Sequence, residues 1–139
     1  MYLKKVGLNM NLEAAKQARL KAYVPYSKFK VGAAIELNDG TIIHGANIEN
    51  SSFGLTSCAE RNALFSLISQ GYDPKEIKEI TIIGSSKGPI SPCGACRQVM
   101  SELVPSSAKI FLANLEDEVY ETSTKELLPF SFDLETDRI

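Results

Sequence analysis

Between positions 29 and 49 the chain reads FKVGAAIEL, then NDG, then TIIHGANIE, and no other stretch restricts the fold as tightly. Both flanks are apolar and of strand length. The Asn-Asp-Gly between them tolerates the positive φ angles that a tight hairpin turn demands. An antiparallel pair is therefore expected early in the chain. NLEAAKQARLKAY, just before it, is patterned as a helix, with Asn11 as N-cap, Leu12, Ala15, Ala18, Ala22 and Tyr23 near one face, and Pro25 as its stop. CAERNALFSLISQ and CGACRQVMSELV read as two more helices, closed by Gly71 and Pro105. EITIIGS is a buried strand. KIFLAN and EVYETS are two others, and the short LED between them requires an antiparallel turn. TKELL is a short helix capped by Ser123 or Thr124. Five strands interleaved with helices predict an α/β fold, a three-layer α/β/α sandwich with a mixed five-stranded sheet, in a single domain over residues 1–139.

Composition narrows the partners. The net charge is −2 and the sequence pI about 5.5, with lysines and arginines scattered among acids. A chain built to grip a polyanion carries a basic stripe, so no nucleic-acid polymer is expected. The longest apolar runs are of strand length, which excludes a membrane span, and MYLKKVGLNM lacks the continuous apolar stretch of a secretory signal. A cytoplasmic location follows as an expectation. In that reducing setting three cysteines read as ligands or reactive thiols, not as disulfide partners.

The cysteines fall at particular places. Cys58 opens one predicted helix, and Cys93 and Cys96 open another, each after a strand and a polar loop. Strand-to-helix loops of an open α/β sheet gather at one edge, where ligands bind, and helix N-termini favour thiolates. One plus two sulfurs meeting there suit a single Zn²⁺, one per chain, with the fourth tetrahedral position left for water. SCAERN then makes sense as a unit. Zinc lowers the pKa of its water from about 15.7 towards about 7. Glu60, in the first turn after Cys58, is placed to shuttle that proton and is not a ligand. Three thiolates on Zn²⁺ leave a net negative charge, which Arg61, or Arg97 just after Cys96, is placed to offset by hydrogen bonds to the sulfurs.

With CAE followed downstream by PCGAC, the chain resembles the zinc deaminases. YSKFKVGAA, NIENSSF, CAERNAL and SPCGACRQVMSEL, in that order and spacing, make it similar to the small homotetrameric cytidine deaminases of nucleoside salvage. The likeness runs from the first helix through ELLPFSF. It implies zinc on Cys58, Cys93 and Cys96, with Glu60 as general acid and base. Asn47 and Glu49 would hold the ribose hydroxyls, Phe29 would stack on the pyrimidine, and the backbone around Ala59 would read the base edge. Asn47 and Glu49 are two apart, so on a strand they share a side. Phe53 stands where some relatives have tyrosine, so no hydroxyl is available there. The implied reaction is hydrolysis of cytidine, and of deoxycytidine, to the uridine product and ammonia, through attack of zinc-activated water at C4. A homotetramer with shared active sites is implied too, with Phe132, more than Phe130, reaching over a neighbour's pocket.

Other readings start from the same residues. CGAC at a helix start also fits a thioredoxin-like dithiol using Cys93 and Cys96, against which stand Cys58 with Glu60 and the absence of any tryptophan. A purely structural zinc module needs a fourth ligand, which the lone His44, mid-strand by the hairpin, is badly placed to supply. Within the deaminases, a nucleotide, tRNA or aminonucleoside-antibiotic substrate competes with cytidine; the acidic pI opposes tRNA, and FKVGAA with NIEN favours a free nucleoside.

Overall fold

The computed structural model describes residues 3–4 and 11–134. The rest of the N-terminal decapeptide, read above as carrying no apolar leader, lies outside the described residues. In chain order the elements are β1 (Leu3–Lys4), α1 (Asn11–Arg19), β2 (Val31–Leu37), β3 (Ile42–Ala46), α2 (Ala59–Ser69), β4 (Ile77–Gly84), α3 (Gly94–Leu103), β5 (Lys109–Asn114), β6 (Glu118–Thr122) and α4 (Thr124–Leu127). The five expected strands form one mixed sheet, and the two-residue β1 pairs onto its edge, giving the order β1-β6-β5-β4-β2-β3. β2 pairs antiparallel with β3 and with β4, whereas β4 and β5 are parallel. The expected antiparallel turn after β5 leads into β6.

These directions decide where the loops go. β3, β4 and β5 all run the same way, and β2 runs against them. The segments leaving β3 and β4 towards α2 and α3 therefore emerge at the same sheet edge as the segment that enters β2.

Alternation along the strands sorts the core into two layers. Ala34, Ile83, Ala113 and Val119 pack under Leu12 and Ala15 of α1. Ala33, Ile35, Ile80, Ile82, Ile110 and Leu112 pack on the other face, with Ala63, Leu64 and Leu67 of α2 and Met100 of α3. Leu64 and Leu67 are fully buried there, and each contributes about 1.5–3 kcal/mol relative to an exposed position.

Some expected boundaries move. The first helix stops at Arg19, well short of Pro25. Tyr23 donates its N–H to Asn47 and accepts from Glu49, so a backbone bridge pulls the chain off the helix path before proline acts. Asn11 lies inside the helix, and its side-chain amide donates to the carboxylates of Glu36 and Glu79 on the sheet. The same residue thus ties the start of the helix to the sheet through its amide nitrogen. The hairpin forms as expected, with Gly40 at φ +90° and Asp39 accepting from the Thr41 N–H. Ser123 caps α4 by accepting from the Glu126 N–H, and Gly71, at φ +91°, follows α2.

One glycine sets how closely α2 lies on β3. A Cβ at Gly45 would stand 2.5 Å from both the Ala59 carbonyl oxygen and the Ala63 nitrogen, backbone atoms that have no room to yield. Replacing Gly45 with alanine should therefore destabilise the fold by about 1–3 kcal/mol or more, the usual range for overpacking. Because α2 begins at the cysteine loop, the variant should also bind metal more weakly. Chemical denaturation and metal titration check both outcomes.

Candidate active site

Cys58 and Cys93 occupy the N-cap positions of α2 and α3 with extended backbone angles, and neither side chain caps its own helix. Both sulfurs are therefore free to turn towards each other, and Cys58 Sγ lies 3.8 Å from Cys93 Sγ. Cys96, one turn into α3, brings the third sulfur, and all three lie within 4.8 Å of one another. Sulfurs held by one tetrahedral zinc at about 2.3 Å each sit roughly 3.8 Å apart, the separation that Cys58 and Cys93 already show. A dithiol redox site has use for two sulfurs; here a third, from a different helix, joins them.

The electrostatics fit a cation. Cys58 is pulled down to about 5, first by its hydrogen bond with Cys96 and then by Arg61 and Cys93. Cys96 moves up, because the same bond keeps its proton, because it is buried and because Glu60 faces it. The metal-free pair thus already holds negative charge. Arg61 donates to Cys58 Sγ at 3.6 Å, and the neighbouring sulfurs of Cys58 and Cys96 hold its guanidinium firmly charged. Its Nε is buried without a hydrogen-bond partner among the described residues. A guanidinium set in this way is matched to a cluster of thiolates.

Arg97 behaves differently. Its guanidinium donates to the Pro92 carbonyl at 2.9 Å, the Leu127 carbonyl at 2.9 Å and Ser91 Oγ at 2.6 Å. It fastens the loop before Cys93 to the end of α4, so its bonds go to neighbouring chain and not to sulfur. Of the two arginines proposed as charge partners, Arg61 alone touches the cluster.

Glu60 lies in the first turn of α2 and exposes only 6% of its surface. Burial, the largest cause, and the nearby Cys58 charge raise its carboxyl above the usual range. Such a group takes up a proton and releases it again near neutrality more readily than an exposed carboxylate.

Asn47 and Glu49 flank Ile48, which is bridged to Tyr23 on one side and Ser57 on the other. β3 has ended by then, at Ala46, so the two residues lie beyond the regular strand. Their side chains nevertheless turn to the same loop. Asn47 donates to the Phe29 carbonyl and accepts from the Val31 N–H, both at 2.9 Å. Glu49 accepts from the N–H groups of Tyr26 and Ser27 at 3.0 and 3.1 Å and from the Ser27 hydroxyl. The Ser27 hydroxyl is the main reason its carboxylate is held below the usual range. Lys28, held between these bonds at φ +60°, takes a left-handed conformation that is uncommon for a residue with a side chain. Phe29 follows it, partly exposed at 36%, with its ring edge over Gly84 at the end of β4. Ala59 is fully buried at the head of α2. Phe53, in a single 3₁₀ turn after Asn47 and Glu49, exposes 79% of its surface, and Phe132 in the tail 62%.

Two participants went unnoticed in the sequence. Ser27 organises the Glu49 contact, and Asn62 joins the end of β3 to the residue before Cys58. YSKF and CAERN contain both, but serine and asparagine are too common for position alone to mark them.

Comparison with known proteins agrees with this geometry. A sequence model of the family described as "Cytidine and deoxycytidylate deaminase zinc-binding region" matches residues 8–112. The cytidine deaminase of Halalkalibacterium halodurans is 51% identical over 126 residues, 91% of this chain and 94% of that protein. The one from Sporosarcina psychrophila is 49% identical over 121 residues, 87% of this chain and 88% of that protein. The crystal structure of cytidine deaminase from Burkholderia pseudomallei superposes with a TM-score of 0.84 at 55% identity, covering 86% of this chain and 94% of the other. That of the Mycobacterium tuberculosis enzyme gives 0.77 at 37% identity, covering 93% and 99%.

If all three sulfurs hold the metal, protein purified without chelator should contain one zinc per chain, and Cys96→Ala, which empties the buried corner, should contain well under one. Elemental analysis reads this directly, and a lowered melting temperature should accompany the loss, since metal binding contributes to folding. A domain fitted to one zinc ion, with the fold and the sequence of its relatives, places the chain in the cytidine and deoxycytidylate deaminase zinc-binding family.

Proposed function

We propose that this chain hydrolyses cytidine, and 2′-deoxycytidine, to the corresponding uridine nucleoside and ammonia. One observation carries the reading: a three-sulfur cluster with a buried carboxyl beside it, in a chain about half identical to cytidine deaminases. When bound, zinc supplies the Lewis acidity that makes water a nucleophile at neutral pH.

The remaining chemistry falls to the protein's own groups. Glu60, its affinity for protons raised by burial, takes one proton from water and gives it to N3 as C4 becomes tetrahedral, then carries the remaining proton of the new C4 hydroxyl to the amine, which leaves as ammonia as the C4 carbonyl forms. Phe29 stacks on the ring, and the backbone at Ala59 meets the base edge. Glu49, its carboxylate held below the usual range, keeps one acceptor site on Oε2 after satisfying its loop, so it accepts from a ribose hydroxyl. Asn47 holds the sugar beside it. Arg61 draws charge from the sulfurs. Sugar contacts of this kind fix C4 at attack distance, and such positioning is worth several kcal/mol.

The reading includes an assembly. No helix among the described residues is long and apolar enough to cross a membrane, yet large apolar side chains remain exposed: Phe53, Leu55, Phe65, Ile68, Phe130 and Phe132. Such groups mark contacts. A homotetramer that covers them, with Phe132 over a neighbour's site, accounts for their exposure, and three free cysteines suit a reducing cytoplasm.

Loss of ultraviolet absorbance on mixing with cytidine tests the activity, and no change with zinc-loaded protein would overturn the proposal. Glu60→Gln should keep zinc and fold while losing on the order of 10²–10⁴ in turnover. Glu49→Ala should weaken cytidine use roughly 10- to 100-fold, the worth of a charge-assisted hydrogen bond, and leave zinc content unchanged; free cytosine should be a poor substrate for both proteins. Truncation after Leu128 should abolish most activity without removing a sulfur, and sedimentation of the intact protein should show a tetramer.

A further inference from the structure

Asn62 has no part in the roles above, yet both ends of its amide are spent on the site's framework. Its Oδ1 accepts from Ser57 Oγ at 2.6 Å. Its Nδ2 donates to the Ala46 carbonyl at 2.7 Å and, at 3.4 Å, to that of Ser57. Ala46 immediately precedes Asn47, and Ser57 immediately precedes Cys58. The backbone N–H of Asn62 meanwhile donates to the Cys58 carbonyl at 3.0 Å, closing the first turn of α2.

The side chain thus spans three pieces of chain: the segment carrying Asn47 and Glu49, the loop delivering Cys58, and the helix carrying Glu60. Ser57 and Ile48 reinforce the same junction with two mutual backbone bonds of 2.9 Å. A plain structural asparagine on a helix would bond within its own turn or to water. This one leaves its helix for two segments, each one residue away from a group of the site. The close approach of β3 to α2 at Gly45 is what brings Ala46 within its reach.

We propose that Asn62 is a positioning residue that sets the register between the sugar-holding segment and the metal-bearing helix start, and through it the depth at which C4 lies beside Glu60. The proposal rests on the deaminase reading above. Its consequence is particular: the register matters for a nucleoside anchored both by its base and by its ring hydroxyls, and less for one that lacks those hydroxyls.

The test compares cytidine with 2′,3′-dideoxycytidine, which lacks the 2′- and 3′-hydroxyls and keeps only the 5′-hydroxyl, in wild type, Asn62→Ala and Ser57→Ala. Wild-type turnover of cytidine comes first, and its absence would overturn the functional reading and this one with it. With that turnover present, Asn62→Ala should keep one zinc per chain and lose roughly 10-fold or more in kcat/KM for cytidine, as the removal of three partly buried hydrogen bonds predicts. For the dideoxynucleoside the loss should be several-fold smaller. Ser57→Ala removes one bond and leaves the Ala46 contact, so it should show the same pattern more weakly, and it decides the matter if Asn62→Ala does not fold. Equal losses on both nucleosides, or losses that follow zinc content, would show a merely structural role and overturn the proposal.

Discussion

Three thiols have to be held within a few ångströms of one another although they come from two helices that begin far apart in sequence. Left to themselves, clustered sulfurs repel once ionised. The fold counters this with two helix N-termini, whose unpaired N–H groups favour negative charge, and with one guanidinium lying against the sulfur of Cys58. Everything else at the site depends on that arrangement. Glu60 is near the sulfurs because it shares a helical turn with Cys58, and it is buried because α2 is clamped to β3 through Gly45. The sheet contributes direction: three co-directional strands and one opposed strand deliver the loops to a common edge.

Much of this was legible in the sequence, and the reasons are local. The hairpin could be read because Asn-Asp-Gly fits few other conformations. The cysteine cluster could be read because Cys58, Cys93 and Cys96 begin predicted helices, and helix starts after strands share an edge. Asn11 shows where such reading stops. Its type suggests only a cap, and nothing local reveals that its amide nitrogen donates to two carboxylates on the sheet, 25 and 68 residues away in sequence. Arg97 shows the same limit, since adjacency to Cys96 does not reveal that carbonyls at Pro92 and Leu127 will claim its guanidinium. Tyr23 left its helix for a bridge that exists only once the 47–49 segment has folded beside it. In each case a long-range polar contact sets what a local preference of about a kilocalorie or less leaves open.

The polar groups near the site form two sets with different work. One set, Asn47, Glu49 and Ser27, shapes the loop that presents Phe29, and holds Lys28 in a backbone conformation it would not adopt alone. The other, Arg97 with Ser91, ties the approach to Cys93 to the last helix. The loops around the sulfur cluster are thereby stiffened from two sides before any ligand arrives, which lowers the entropy lost on binding one.

The sulfurs are not equivalent in their access to solvent. Cys93 is exposed, Cys58 half-buried, and Cys96 wholly covered. The three thiols therefore offer a graded approach: in the single chain a thiol-reactive reagent has open access to Cys93, restricted access to Cys58, and none to Cys96 unless the helix start opens locally.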